Sequence, residues 1–187
     1  MEDVILAMDP SITRVGLALF VEGKLVHTGY VKGQGTTKDD IMHRVVRTAK
    51  EVYKWSLESM CAGFVDTMVC EWPQIYQRAD DKTKGDPNNL VPLAGVCGAV
   101  GALLYNDYGT QMVSFKPREW ADNVPKIETV KGCKKSPRAY RTIACLTPEE
   151  MKVWVKVKYH DEIDAIGIGL HYLDRFRPRV MPGATEG

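Results

Sequence analysis

Five consecutive apolar residues, Val4-Ile5-Leu6-Ala7-Met8, run directly into an acid and a proline, Asp9-Pro10. An unbroken apolar run of this length reads as a buried strand. The chain must therefore place this segment inside a sheet and cover it. The carboxylate at its end has two readings. Asp beside Pro is ordinary turn punctuation. A buried strand is also a rigid post that can hold a charge where chemistry needs it. The rest of the chain bears on which reading holds.

Val15, Leu17 and Leu19 alternate with Gly16 and Ala18, Glu22-Gly23 is a turn, and "KLVHTGYV" alternates again, so the start of the chain reads as a three-stranded antiparallel meander. "TTKDDIMHRVVRTAKEVYKWSLESM" carries Ile41, Val45, Val52 and Leu57 on one broad helical face, with Thr37 and Asp40 at capping spacing. "VDTMVCEW" is a fourth strand that ends at Glu71. "QIYQRADDKTKGDPN" is polar and reads as a surface loop. The segment 88–106 is a helix that is apolar or small nearly all round, a pattern expected of a helix buried on more than one side. "GTQMVSFK" is a fifth strand, and a helix is expected over 137–145. Thr147, Pro148 and Glu150 open another helix with a capping box, and "DEIDAIGIGLHYLDRF" is the last. Later strands alternate with helices and should join in parallel, giving an α/β fold. The expectation is a mixed five-stranded sheet, three strands antiparallel and two parallel, flanked by helices.

Length and composition fit one domain: 187 residues, 44% hydrophobic and 26% charged. We expect the domain to span residues 1–176, with a frayed tail at 177–187. No apolar run approaches the roughly 18 residues of a membrane helix, and "MEDV" does not resemble a signal peptide. Five widely spaced cysteines without a C-x-x-C argue against a zinc site or disulfide framework and for a reducing cytoplasm. The net charge of +1 says little by itself. Between residues 116 and 141, however, eight basic residues (Lys116, Arg118, Lys126, Lys131, Lys134, Lys135, Arg138, Arg141) face only Glu119, Asp122 and Glu128. That segment is either a solvated loop or a phosphate-binding patch.

Two further acids stand in unusual places. Glu71 ends the fourth strand as Asp9 ends the first, and Asp161 and Asp164 share a face of the last helix. Acids at a helix start complement its dipole. Asp164, though, belongs to the stripe that should face the sheet. If the first and fourth strands are neighbours and the last helix crosses them, Asp9, Glu71, Asp161 and Asp164 meet. Four clustered carboxylates repel unless they are neutralised. Hard oxygen ligands suit Mg²⁺ or Mn²⁺, and two such ions about 4 Å apart can drive phosphodiester hydrolysis.

"ILAMDPSITRVGLALF", "MVCEWPQIY" and "HDEIDAIGIGL" resemble, in this order, the three motifs of the RuvC family of Holliday junction resolvases, across residues 4–173. The resemblance implies an RNase H-like fold and an endonuclease that resolves four-way DNA junctions by paired symmetric nicks. It implies that Asp9, Glu71, Asp161 and Asp164 bind two Mg²⁺ ions, which Mn²⁺ can replace. It also implies a homodimer formed through the helix at 88–106, and the charge of the basic segment makes Lys116, Arg118, Lys126, Lys131, Lys134, Lys135 and Arg138 the expected DNA contacts. The family's aromatic wedge corresponds to Trp72 or Tyr76, although Pro73 and Gln74 intervene. A lysine beside the scissile phosphate corresponds to Lys134 or Lys135, or to Lys126. His160 is either a helix-entry residue or the counterpart of a histidine that some relatives use. "FKPREWADNVPK" is similar to phage-encoded members, which places the protein in bacterial or phage-infected cytoplasm.

Three other readings compete. An actin- or hexokinase-like ATPase needs two such domains and glycines where this chain has Pro10, Ser11 and Ile12. Another RNase H-like nuclease would act on RNA–DNA hybrids, flaps or branched DNA. A non-catalytic DNA-binding module would not need all four acids.

Overall fold

The structure is a computed structural model, and it describes residues 3–35, 40–59, 64–73, 76–77, 83–84, 87–121, 134 and 136–176. Thr37, Lys126, Lys131, Lys135, the tail 177–187 and the side chain of Tyr76 lie outside the described residues.

The meander forms as expected: β1 (Val4–Asp9) pairs antiparallel with β2 (Arg14–Val21), and β2 with β3 (Lys24–Lys32). The turn between β2 and β3 holds Glu22 at φ 49° and Gly23 at φ 73°. Two left-handed residues in succession make the tight turn whose twist matches that of the flanking strands. The helix α1 (Ile41–Ser59) follows. Its first amides are capped by Asp40, whose Oδ1 accepts from the Met42 and His43 N–H groups at 2.8 and 3.3 Å. β4 (Thr67–Glu71) returns parallel to β1. Within the stretch expected to be loop, β5 (Tyr76–Gln77) and β6 (Thr83–Lys84) form a two-residue ribbon apart from the main sheet. After α2 (Pro87–Tyr108), β7 (Gln111–Phe115) runs parallel to β4. The main sheet has the order β3-β2-β1-β4-β7. It is the mixed five-stranded sheet read from the sequence.

Among the described residues four further helices follow: α3 (Pro117–Ala121), α4 (Pro137–Ile143), α5 (Pro148–Trp154) and α6 (His160–Tyr172). The short α3 was not anticipated. The α5 capping box is present, with Thr147 Oγ1 accepting from Glu150 N and Glu150 Oε2 from Thr147 N.

β1 is continuously apolar because both faces of the sheet are covered. Ile5 and Ala7 pack with Phe20, Val69, Trp120 and the α6 residues Ile163 and Ile166. Leu6 and Met8 point the other way, to Leu17, Met68, Val45 of α1 and Val100 of α2. A period of two thus divides one strand between two cores.

The helix α2 departs from expectation in two respects. Only one side is buried, through Val96, Cys97, Val100 and Leu104, while Val91 and Tyr105 are 70% and 68% exposed. In addition, Leu90–Tyr108 is, by length and composition, apolar enough to cross a membrane, contrary to the run-length reading. Its glycines and alanines interrupt the large apolar residues without lowering the average much. Here the helix packs against α1, where Val45 lies 3.2 Å from the Cβ position of Gly95.

Candidate active site

Asp9 and Glu71 are the last residues of β1 and β4. These parallel strands are neighbours, and their last registered pair, Met8 with Cys70, stands just before the two acids. Asp9 has the strand parity of Ile5 and Ala7, and Glu71 that of Val69, so both acids belong to the face that α6 covers. Asp9 is 9% exposed and Glu71 is half-buried.

Gly16 brings α6 to the same place. It pairs with Asp9 across the β1–β2 ladder. A methyl group at Gly16 would lie 1.9 Å from the carbonyl oxygen of Asp161. Only a residue without a side chain lets the first turn of α6 rest on the strand there. Asp161 therefore sits one strand away from Asp9. Asp164, a turn further along α6, is 1% exposed. His160, the first residue of α6, is also buried. The helix start is fixed by Glu162, whose Oε2 accepts from the Lys158 and Tyr159 N–H groups, both at 2.9 Å. Burial pushes the Glu162 carboxyl up, against the pull of those two amides.

The ends of β1 and β4 and the start of α6 thus lie together in the fold, but the side chains of Glu71, Asp161 and Asp164 are turned to donors of this chain. Glu71 Oε2 accepts from Trp120 Nε1 at 2.7 Å. Asp161 Oδ2 pairs with Arg14 Nη1 at 3.3 Å, and Asp164 Oδ2 with Arg138 Nη1 at 3.0 Å. Among the described residues, no three His, Cys, Asp or Glu side chains form a group that would hold a metal ion in these positions. Clustered carboxylates need neutralising charge. Here two guanidinium groups supply part of that neutralisation. The donor chemistry still fits a hard divalent cation, since Asp9, Glu71, Asp161 and Asp164 offer carboxylate oxygens from three rigid elements. An ion there would compete with Arg14 for Asp161 Oδ2 and with Arg138 for Asp164 Oδ2.

The basic residues divide. Lys116 and Arg118 are exposed beyond the end of β7. Lys134 Nζ donates to the Val155 carbonyl at 2.9 Å, at the end of α5, which gives this lysine a structural use. Arg138 reaches into the site. Arg141 Nη1 donates to the Trp120 and Ala121 carbonyls at 3.2 Å, and so steadies the indole that meets Glu71. Trp72, one residue past Glu71, is 43% exposed, and its N–H extends the ladder to Phe115 O at 2.8 Å. Behind the site, the Cys97 thiol on α2 donates to the Glu71 carbonyl at 3.9 Å.

Sequence reasoning missed Arg14 and Trp120. Arg14 opens β2, and nothing in its neighbours along the chain marks it. Trp120 lay in the basic segment, where only the cations drew attention.

No protein-family model and no curated protein sequence matches the chain. Solved structures do. The structure of T. thermophilus RuvC in complex with Holliday junction substrate is 16% identical with a TM-score of 0.57, covering 91% of this chain and 92% of that one. A second Thermus thermophilus RuvC structure is 18% identical with a TM-score of 0.53, covering 91% and 93%. The resemblance read in three short motifs thus extends to the three-dimensional arrangement, and the chain has the RNase H-like fold of RuvC.

Proposed function

We propose that this chain is a Mg²⁺-dependent endodeoxyribonuclease that resolves four-way DNA junctions. The observation that supports the reading is the placement of Asp9 and Glu71 at the carboxyl ends of the neighbouring strands β1 and β4 and of Asp161 and Asp164 near the start of α6, in a fold shared with a protein solved on a Holliday junction. Asp9, Glu71, Asp161 and Asp164 would hold the divalent ions, with Mn²⁺ able to replace Mg²⁺. Such ions supply a water activated for attack and charge stabilisation at the phosphodiester. Lys116 and Arg118 contact DNA phosphates, and Trp72 stacks on a base exposed at the junction centre. Lys126, Lys131, Lys134, Lys135 and Arg138 are the further candidates for DNA contact.

The open side of α2 supports pairing of two copies. Gly98 has nothing within 4 Å of its Cβ position. Gly98, Ala102 and Tyr105, with Gln111 and Met112 of β7, border an open groove of about 610 Å³. A second α2 against this face would cover Val91 and Tyr105.

The test is incubation of the purified chain with labelled four-way junction, linear duplex, RNA–DNA hybrid and flap, each with and without Mg²⁺. Junction cutting that needs Mg²⁺ and is lost in Asp9→Asn, with the fold and junction binding kept, is the expected result. Near-normal cutting by Asp9→Asn would remove the acids from the chemistry. Faster cutting of the hybrid than of the junction would transfer the reading to another RNase H-like nuclease.

A further inference from the structure

A buried carboxylate is costly unless a partner compensates it. Asp164 is 1% exposed, and Arg138, reaching across from α4, meets its Oδ2 at 3.0 Å. The same guanidinium lies 5.1 Å from the centre of the Trp120 ring, and Trp120 gives its N–H to Glu71 Oε2 at 2.7 Å. One cation–indole unit therefore touches an acid of β4 and an acid of α6. On the other flank, Arg14 pairs with Asp161 while its guanidinium rests 3.8 Å from the centre of the Tyr159 ring. A guanidinium cannot shed its proton to make room for a second cation. An ion that approaches Asp164 Oδ2 competes with this fixed positive charge.

We propose that Arg138 is the built-in counter-cation of Asp164 and competes with a divalent ion for it. It leaves the carboxylate when the ion loads. Arg138 is in this sense a positioning residue, and the competition sets how tightly the site takes its metal. The proposal rests on the reading of the four acids as cation ligands. It goes further by naming the residue that regulates their occupancy.

The experiment uses the full chain, Mn²⁺ as the calorimetric probe, and melting curves in EDTA and in saturating Mn²⁺. In EDTA, Arg138→Gln melts below wild type; in Mn²⁺ most of that gap closes. Arg138→Gln binds Mn²⁺ tighter than wild type by about tenfold or more, because the internal competitor is gone. Arg138→Lys restores the charge and moves both readings back toward wild type. A folded Arg138→Gln that binds Mn²⁺ no tighter than wild type overturns the proposal and leaves the metal-site reading standing. If neither protein binds Mn²⁺, both readings fall together. Should Arg138→Gln not fold in EDTA, the wild type decides. Titration with diamagnetic Mg²⁺ shifts the Arg138 Nε–H resonance if the guanidinium leaves Asp164, and an unmoved resonance at saturation overturns the proposal.

Discussion

A methyl group at Gly16 would lie 1.9 Å from the Asp161 carbonyl oxygen and 2.8 Å from the Glu162 nitrogen, so this position tolerates no side chain. Gly16→Ala must push the first turn of α6 off β2. Overpacking of this kind costs about 1–3 kcal/mol. We expect a lower melting temperature together with a loss of cleavage larger than the fraction unfolded explains, because Asp161 moves away from Asp9. Full activity in Gly16→Ala would show that the contact does not position the site. A second residue, far from the acids, governs acid stability. Burial alone would raise the Glu150 carboxyl, but Arg175 and the N–H groups of Thr147 and Leu25 outweigh it and hold it down at about 2, against an ordinary 4.5. A depressed carboxyl contributes stability above its unfolded value and loses it as the proton binds. Melting temperature should therefore fall as pH drops from about 4.5 toward 2, and Glu150→Gln should be less stable at neutral pH and flatter across that window. An equally steep fall in the variant would assign the acid transition to other groups. At this scale Asp9 and Glu71 were legible because each ends a strand, a local signal. Arg14 and Trp120 were not, because their partners lie 147 and 49 residues away along the chain, and no short-range pattern encodes that pairing.

Strands and helices were legible where a period repeats enough to be counted. β1 gave itself away by lacking a period, since a strand with a core on each face has no polar side. The α5 cap was legible because Thr147, Pro148 and Glu150 act within one turn. The two-residue ribbon β5–β6 is too short for any period, and α3 has five residues. For α1 the cap comes from Asp40 alone among the described residues, one residue before the helix. The helix α2 shows how composition can mislead about environment. Small residues all round suggested burial on several sides, yet a small residue also fits a face that waits for a close neighbour. Gly98 separates the two cases. With open space at its Cβ position, Gly98→Leu should leave the melting temperature of an isolated subunit nearly unchanged. In a pair joined through α2 it should block close approach. Sedimentation at micromolar concentration should then show a dimeric wild type and a monomeric variant. A monomeric wild type, or a variant that stays dimeric, would move the interface elsewhere.

The net charge of the whole molecule is +1, so attraction to DNA depends on where charge lies rather than on its sum. Lys116 and Arg118 are exposed past the end of β7, the strand that also borders the groove beside α2. On the proposed pairing, a two-fold axis gives two identical sites. A linear duplex offers its two strands at a separation set by its own grooves. A four-way junction offers two equivalent strands related by a matching two-fold axis, so each subunit can hold one. On the same proposal Trp72, which is 43% exposed and next to Glu71, stacks on an unpaired base at the crossover. Such stacking is worth about 1–3 kcal/mol per base, roughly 5- to 150-fold in occupancy. The expected products are paired nicks in strands of like polarity, at near-symmetric positions, that a ligase can seal. Trp72→Ala should lower junction cutting by about tenfold while leaving nonspecific duplex binding within about twofold, since phosphate contacts dominate the latter. Products with unrelated nick positions on the two strands would break the link between dimer symmetry and substrate, even if each site still hydrolyses DNA.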